Sequence, residues 1–147
     1  MNRKLLMCIC SFFVIIIPIT CFAFQNEPNG FRNLYWGETL QEIQKNDELT
    51  NLKYAYYEID TNSVIYTADL KDPYISGQKS IEQSISLYLW NNQLYKINVR
   101  FIGISFNKLE NAMILNFGYP EQRSIGICSW HGNRTIIELC LGGSMGN

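Results

Sequence analysis

Alternation of apolar and polar residues between Ile85 and Phe101 is the feature that most constrains how this chain can fold. Apolar side chains recur at every second position on both sides of a short polar break, at Ile85, Leu87 and Leu89 and then at Tyr95, Ile97, Val99 and Phe101. Successive side chains of a strand point to opposite faces, so a period of two predicts a β-hairpin with one apolar and one mostly polar face. We expect the apolar face to lie on the core.

The same pattern predicts how the two strands pair. If Leu89 lies opposite Tyr95 and Leu87 opposite Ile97, the turn over residues 91–93 must hold an odd number of residues, or two residues and a bulge. A pairing of Leu89 with Leu94 would contradict the first of these pairs.

The polar face of this hairpin is the candidate contact surface. It carries an aromatic pair and two cations, namely Tyr88, Trp90, Lys96 and Arg100, with Asn98 between the cations. Aromatic side chains combine a large contact area with a polar edge, which suits them to binding surfaces. Two cations by themselves usually indicate only a solvated face, so the hypothesis depends on the aromatic side chains. It therefore requires that Trp90 be exposed.

The first 23 residues differ from the rest of the chain. A short cationic start, an almost wholly apolar run from Leu5 to Ile17 and small residues at Cys21 and Ala23 predict a secretory signal peptide that is cut after Ala23. An uncleaved leader is the alternative, because the run from Leu5 to Phe24 could just span a bilayer. A lipoprotein signal is disfavoured, since Thr20 stands where a small residue usually precedes the lipidated cysteine.

Removal of the leader changes the charge and the cysteine content. It leaves 10 basic and 13 acidic residues, a net charge of about −3, with no basic stripe. We therefore expect no nucleic-acid binding, and membrane contact only if the leader stays uncleaved.

Cys128 and Cys140 remain, and an even number of cysteines in an exported protein favours a disulfide. A two-residue turn between them would place them on opposite faces, whereas an odd turn would place them on one face.

The mature chain is long enough for one domain, expected over residues 31–141. Residues 24–30, with Pro28 and a turn pair, predict a flexible lead-in, and the glycine-rich residues 142–147 predict a flexible tail. The stretch 71–79 predicts an exposed loop, and it is the first loop in which we would look for a contact.

Two segments predict helices. Thr39 and Glu42 match a capping box, which indicates a short helix over about Leu40 to Asn46. A stronger pattern follows Gly103, where apolar residues recur at spacings of three and four and the stripe ends before a glycine and a proline: Phe106, Leu109, Met113, Phe117, Gly118 and Pro120.

Two further hairpins are expected over residues 52–70 and 123–141. Together these elements predict an α+β fold. We expect a single antiparallel sheet of about six strands, formed by three hairpins, with both helices packed on one face over the central hairpin.

No pattern predicts a catalytic, metal or cofactor site. His131 is the only histidine and lies three residues from Cys128. Residues three apart on a strand point to opposite faces, and no third group orients the pair, so a thiol enzyme is disfavoured. One histidine and two cysteines also lack the paired spacings of a zinc site. Asn133 to Thr135 is a formal glycosylation sequon, relevant only in a eukaryotic secretory pathway.

The mature chain contains four short motifs: F-R-N-L-Y-W-G from Phe31, Q-L-Y-K-I-N-V-R-F from Gln93, N-F-G-Y-P ending at Pro120, and Trp130-His131-Gly132 before a final apolar strand. Together they resemble the motifs of a family of small exported bacterial proteins of uncharacterised function. The resemblance covers most of the mature chain and implies a periplasmic or secreted α+β domain. It implies no catalytic residues, because that family has none assigned.

We therefore expect a non-enzymatic binding or accessory protein in the periplasm or outside the cell, whose partner is a protein or a cell-envelope component. A small periplasmic hydrolase and an inhibitor of a hydrolase are the alternatives. A pocket that joins Cys128 or His131 to a carboxylate would favour the enzyme, and a shallow patch of exposed aromatic residues would favour binding.

Overall fold

The computed structural model describes residues 26–75, 77–80 and 82–142. The predicted leader, its cleavage after Ala23 and most of the predicted tail lie outside these residues. No helix in the described part is long and apolar enough to cross a membrane. The elements in chain order are β1 (Gly30–Phe31), β2 (Leu34–Tyr35), α1 (Leu40–Ile43), β3 (Leu49–Glu58), β4 (Ser63–Leu70), β5 (Tyr74–Ile75), β6 (Gln78–Lys79), β7 (Glu82–Trp90), β8 (Gln93–Ile102), α2 (Phe106–Phe117), β9 (Gln122–Ser124), β10 (Ile127–His131) and β11 (Ile136–Cys140).

A four-stranded antiparallel sheet contains the predicted central hairpin as β7 and β8, in the strand order β3-β4-β7-β8. Leu87 pairs with Ile97, as the alternation predicts. The predicted pairing of Leu89 with Tyr95 is wrong, because Leu89 pairs with Leu94.

A tight turn and a bulge together explain this register. Asn91 and Asn92 both have positive φ, 49° and 61°, which is typical of a two-residue hairpin turn. Leu94 pairs with Leu89 and Lys96 pairs with Tyr88, so Tyr95 is the extra residue of a β-bulge. The bulge restores the alternation on the rest of β8.

One face of this sheet lies on the main core. Its buried side chains from β4, β7 and β8 are Ala68, Leu70, Ile85, Leu87, Leu89 and Leu94. They pack against Leu34 of β2 and Ile43 of α1, both buried. The capping box predicted for α1 is present, with the Glu42 carboxylate accepting hydrogen bonds of 2.8 Å from the Thr39 backbone N–H and side-chain hydroxyl.

A second, smaller core lies between α2 and the sheet β11-β10-β9. Cys128 and Trp130 of β10 are fully buried there. Side chains from α2 and β11 pack against them, namely Phe106, Met113, Ile114, Phe117, Ile137 and Leu139. The Trp130 Nε1–H donates to the Gly118 carbonyl at 2.8 Å, so the indole also holds the end of α2.

The predicted α+β fold with one sheet of about six strands and both helices on one face is wrong. The described residues are mostly β, with one four-stranded, one three-stranded and two two-stranded sheets and two helices, one of them short. Each helix covers a different sheet. The apolar side chains of α2 pack against Trp130 and Cys128 of the three-stranded sheet, whereas Ile43 of α1 packs on the four-stranded sheet. The three predicted hairpins are present as β3–β4, β7–β8 and β10–β11.

Residues 27–29 bind to the rest of the domain. The Glu27 carboxylate accepts hydrogen bonds from the backbone N–H groups of Asn133, Arg134 and Thr135 at 3.1, 2.5 and 2.5 Å. These donors lower the pKa of Glu27, with the Arg134 N–H as the largest cause. The Pro28 carbonyl also accepts from the side chains of Thr135 and Trp36. This part of the segment predicted as a flexible lead-in therefore lies across the β10–β11 turn.

Candidate functional site

The second face of the four-stranded sheet carries the candidate surface residues. The strand registers place Tyr56, Ile65, Tyr88 and Lys96 in one row across β3, β4, β7 and β8. Trp90 lies two residues further along β7 on the same face, beside Ser63 of β4. We call Tyr56, Ile65, Tyr88, Trp90, Tyr95 and Lys96 the aromatic face.

The aromatic face has a buried floor and an exposed rim. Ile65 is 1 % exposed and Tyr88 is 9 % exposed, so both lie beneath their neighbours. Trp90, Tyr56 and Tyr95 are 50, 49 and 44 % exposed. The condition that Trp90 be exposed is met. Tyr88, named from the sequence as a surface contact, instead supports the rim from below, because Tyr95 and Lys96 pack against its ring.

Tyr95 joins this face because of the bulge in β8. Its hydroxyl lies 2.8 Å from the Ser63 hydroxyl, and its ring meets the Tyr88 ring edge to face with centroids 6.5 Å apart. Strict alternation along β8 assigns Tyr95 to the apolar face, so the sequence pattern missed it. The pair Asn91–Asn92 is the signal that could have found it, since a two-residue turn forces a bulge if Leu87 is to pair with Ile97.

Lys96 and Glu58 place charges near the tyrosines of the aromatic face. The Lys96 ammonium lies 4.6 Å from the centre of the Tyr88 ring, a cation–π contact. The pKa of Tyr56 is raised by the neighbouring Tyr88 hydroxyl first, then by burial and by the Glu58 carboxylate.

Arg100 stands apart from this cluster. It is exposed and pairs with Ser84, four residues along β8 from Lys96, a distance of about 13 Å along the strand. The sequence prediction thus grouped four residues of which the structure brings three together: Tyr88, Trp90 and Lys96.

The predicted disulfide between Cys128 and Cys140 is absent, and both cysteines are free. His131 pairs with Ile136, so four residues connect β10 and β11 and Cys128 pairs with Leu139. With this even connection, Cys128 is buried against α2 whereas Cys140 is exposed on the opposite face.

Cys128 instead belongs to a polar cluster, with buried Glu110 and exposed Arg123, that the sequence patterns did not indicate. Its thiol donates to the Glu110 carboxylate at 3.2 Å, and Arg123 contacts the same carboxylate at 2.7 and 3.2 Å. The Cys128 and Arg123 hydrogen bonds lower the pKa of Glu110, while burial and then Glu110 raise the pKa of Cys128. A thiol held protonated in this way is a poor nucleophile.

His131 takes no part in that cluster. Its Nδ1 lies 3.5 Å from a carboxylate oxygen of Glu121, and its side chain points to the face of β10 opposite to Cys128. The described residues contain no group of three or more histidine, cysteine or acidic side chains that could hold a metal ion.

No protein-family model matches this chain, and neither curated proteins nor solved structures contain a significant match. The resemblance to a family of small exported proteins stays a prediction.

Proposed function

We propose that this chain is an exported, non-enzymatic binding protein that contacts a protein or a cell-envelope component through the aromatic face. The half-exposed Trp90 carries the proposal. It lies beside Tyr56 and Tyr95 above a buried floor, and no described segment covers these three rings. Exposed aromatic side chains offer large contact area at low entropic cost, as binding hot spots do.

Two further observations support binding over hydrolysis. The Cys128 thiol is buried and bonded to Glu110, and His131 points to the other face of β10. The exposed rings of the aromatic face are spread across three strands and gather neither Cys128 nor His131. Export rests on the predicted leader, whose removal after Ala23 would release the domain.

Retention of a partner by the immobilised mature protein tests this proposal. Bait variants Trp90→Ala and Tyr56→Ala are compared with the wild type in an envelope extract of the source cell, and the retained partner is then titrated. We expect Trp90→Ala to weaken binding about 30-fold, the effect of a hot-spot loss of about 2 kcal/mol.

Leu115→Ala is the matched control, because Leu115 is a strongly exposed apolar residue of α2, outside the aromatic face. Equal retention by the wild type and Trp90→Ala would refute the proposal. So would an equal loss in Leu115→Ala, which would show that any exposed apolar residue contributes alike.

A further inference from the structure

Among the described residues, none pairs with the outer edge of β8 over most of its length. β8 is the last strand of the four-stranded sheet, and such an edge leaves the backbone N–H and C=O of every second residue without a ladder partner. Only its start is covered, where the Leu94 N–H donates to Glu38 and the Leu94 carbonyl accepts from Gly37, both at 2.8 Å. Between Lys96 and Arg100, no described backbone group pairs with this edge.

A cleft of about 400 Å³ lies along the covered and open parts of this edge. Four consecutive residues of β8, Leu94 to Ile97, form one wall. Leu94 and Ile97 lie on the core face of the sheet, and Tyr95 and Lys96 lie on the other face. A cleft bounded by all four must therefore follow the strand edge itself. The other walls include Trp36 and Ile136, and Ile136 begins β11, the last strand of the three-stranded sheet. The cleft thus separates the edges of two sheets.

The side chains of β8 specify what a further strand in this position would carry. Lys96 and Arg100 are exposed on one face, and Ile97 and Val99 are partly buried on the other. Directly opposed side chains on neighbouring strands favour opposite charges or two apolar groups. An added strand would therefore place acidic residues beside Lys96 and Arg100, and apolar residues beside Ile97 and Val99.

The charge of the cleft agrees with this pattern. Its lining residues include two cations, Lys96 and Arg134, and no acid. The Glu27 carboxylate lies beside Arg134 but is already held by three backbone N–H groups of the turn. Although the chain has more acidic than basic residues, the charge along the β8 edge is positive.

We propose that the open edge of β8 binds an extended peptide in which acidic and apolar residues alternate, by addition of a strand to the sheet. This surface meets the aromatic face at Tyr95 and Lys96, which border both, whereas Trp90 and Tyr56 lie outside the cleft. A second copy of this chain is a poorer occupant of the edge. Antiparallel pairing of two β8 strands about Asn98 would place Lys96 opposite Arg100 of the other copy. Like charges that lie directly opposite each other destabilise a sheet.

The probe is a fluorescein-labelled synthetic hexapeptide of alternating glutamate and valine, and the same peptide with lysine for glutamate is its counterpart. Fluorescence anisotropy with the mature protein should show saturable binding of the glutamate peptide only. The double variant Lys96→Glu/Arg100→Glu should bind it at least about ten-fold more weakly and should gain binding of the lysine peptide. Lys79→Glu, which reverses an exposed cation on β6, should bind as the wild type does.

Amide hydrogen exchange supplies the readout that distinguishes strand addition from loose ionic contact. The glutamate peptide should slow exchange in the β8 segment 95–100, because new backbone hydrogen bonds protect those amides. Failure of the glutamate peptide to bind, or binding without this protection, would overturn the proposal and leave the cations of β8 as a guard against edge-to-edge aggregation.

Two other results would also overturn it. Loss of peptide binding in Trp90→Ala without loss in the charge-reversed variant would place the peptide on the aromatic face. A dimer in sedimentation that the charge reversal dissociates would show that a second copy occupies the edge.

Discussion

Replacement of Leu94 by alanine tests the register of the central hairpin, on which both proposed surfaces depend. Leu94 is 1 % exposed and packs in the main core beside Leu89, whereas strict alternation along β8 would turn it to the outer face. Loss of a fully buried leucine side chain removes its transfer free energy and leaves a cavity, which costs about 2–5 kcal/mol. For a domain of this size the melting temperature should fall by roughly 6–20 °C.

Tyr95→Phe is the companion variant across the bulge. The Tyr95 ring is partly exposed and would stay in place, and only the hydrogen bond between its hydroxyl and Ser63 would be lost. That loss should cost about 0.5–1.5 kcal/mol, clearly less than Leu94→Ala.

Urea unfolding followed by circular dichroism measures both free energies of unfolding, and an unchanged m-value would show that only stability has changed. A Leu94→Ala protein within about 0.5 kcal/mol of the wild type would behave like a surface substitution and refute the bulged register. The argument would also fail if Tyr95→Phe were stabilising, because that result would indicate a buried hydroxyl without a partner.

Three further predictions concern the N-terminus and the thiols. Glu27→Gln should lower the free energy of unfolding at neutral pH and reduce the stability that is lost on acidification. The folded pKa of Glu27 lies below its ordinary 4.5, so its contribution is present above that value and is lost as the pH falls through the folded pKa. If the variant lost as much stability at acidic pH as the wild type does, this result would contradict the Glu27 contacts. With Ellman's reagent, one thiol of the mature protein, Cys140, should react in buffer and a second, Cys128, only in denaturant; two rapidly reacting thiols would show that Cys128 is accessible. Mass spectrometry of exported protein should find Phe24 as the first residue; a retained leader would support the alternative in which the leader stays uncleaved and spans the bilayer.

Much of the local structure could be predicted from the sequence, because it depends on neighbours in the chain. The alternation on both arms of the central hairpin correctly predicts two strands with a core face, and the apolar spacing followed by Gly118 and Pro120 predicts a helix that ends at Phe117. The capping box at Thr39 was also confirmed. Each of these signals lies within a few residues of the element it specifies.

The candidate site was only partly predictable. Alternation placed Trp90 and Lys96 on one face, but Tyr56 reaches them through the pairing of β4 with both β3 and β7, two contacts between segments distant in sequence. Tyr95 reaches them through a bulge that shifts every later residue of β8 by one position.

The sequence by itself therefore determined which segments become strands and helices and which of their faces are apolar. Only the tertiary structure decided what each apolar face covers: α1 lies on one sheet and α2 on another, so the chain forms two cores. It also decided that Cys128 meets Glu110 and not Cys140, because a four-residue turn sets the parity of the pairing. Periodicity specifies the direction of a side chain relative to its own backbone, whereas its partner depends on the packing of segments far apart in the chain.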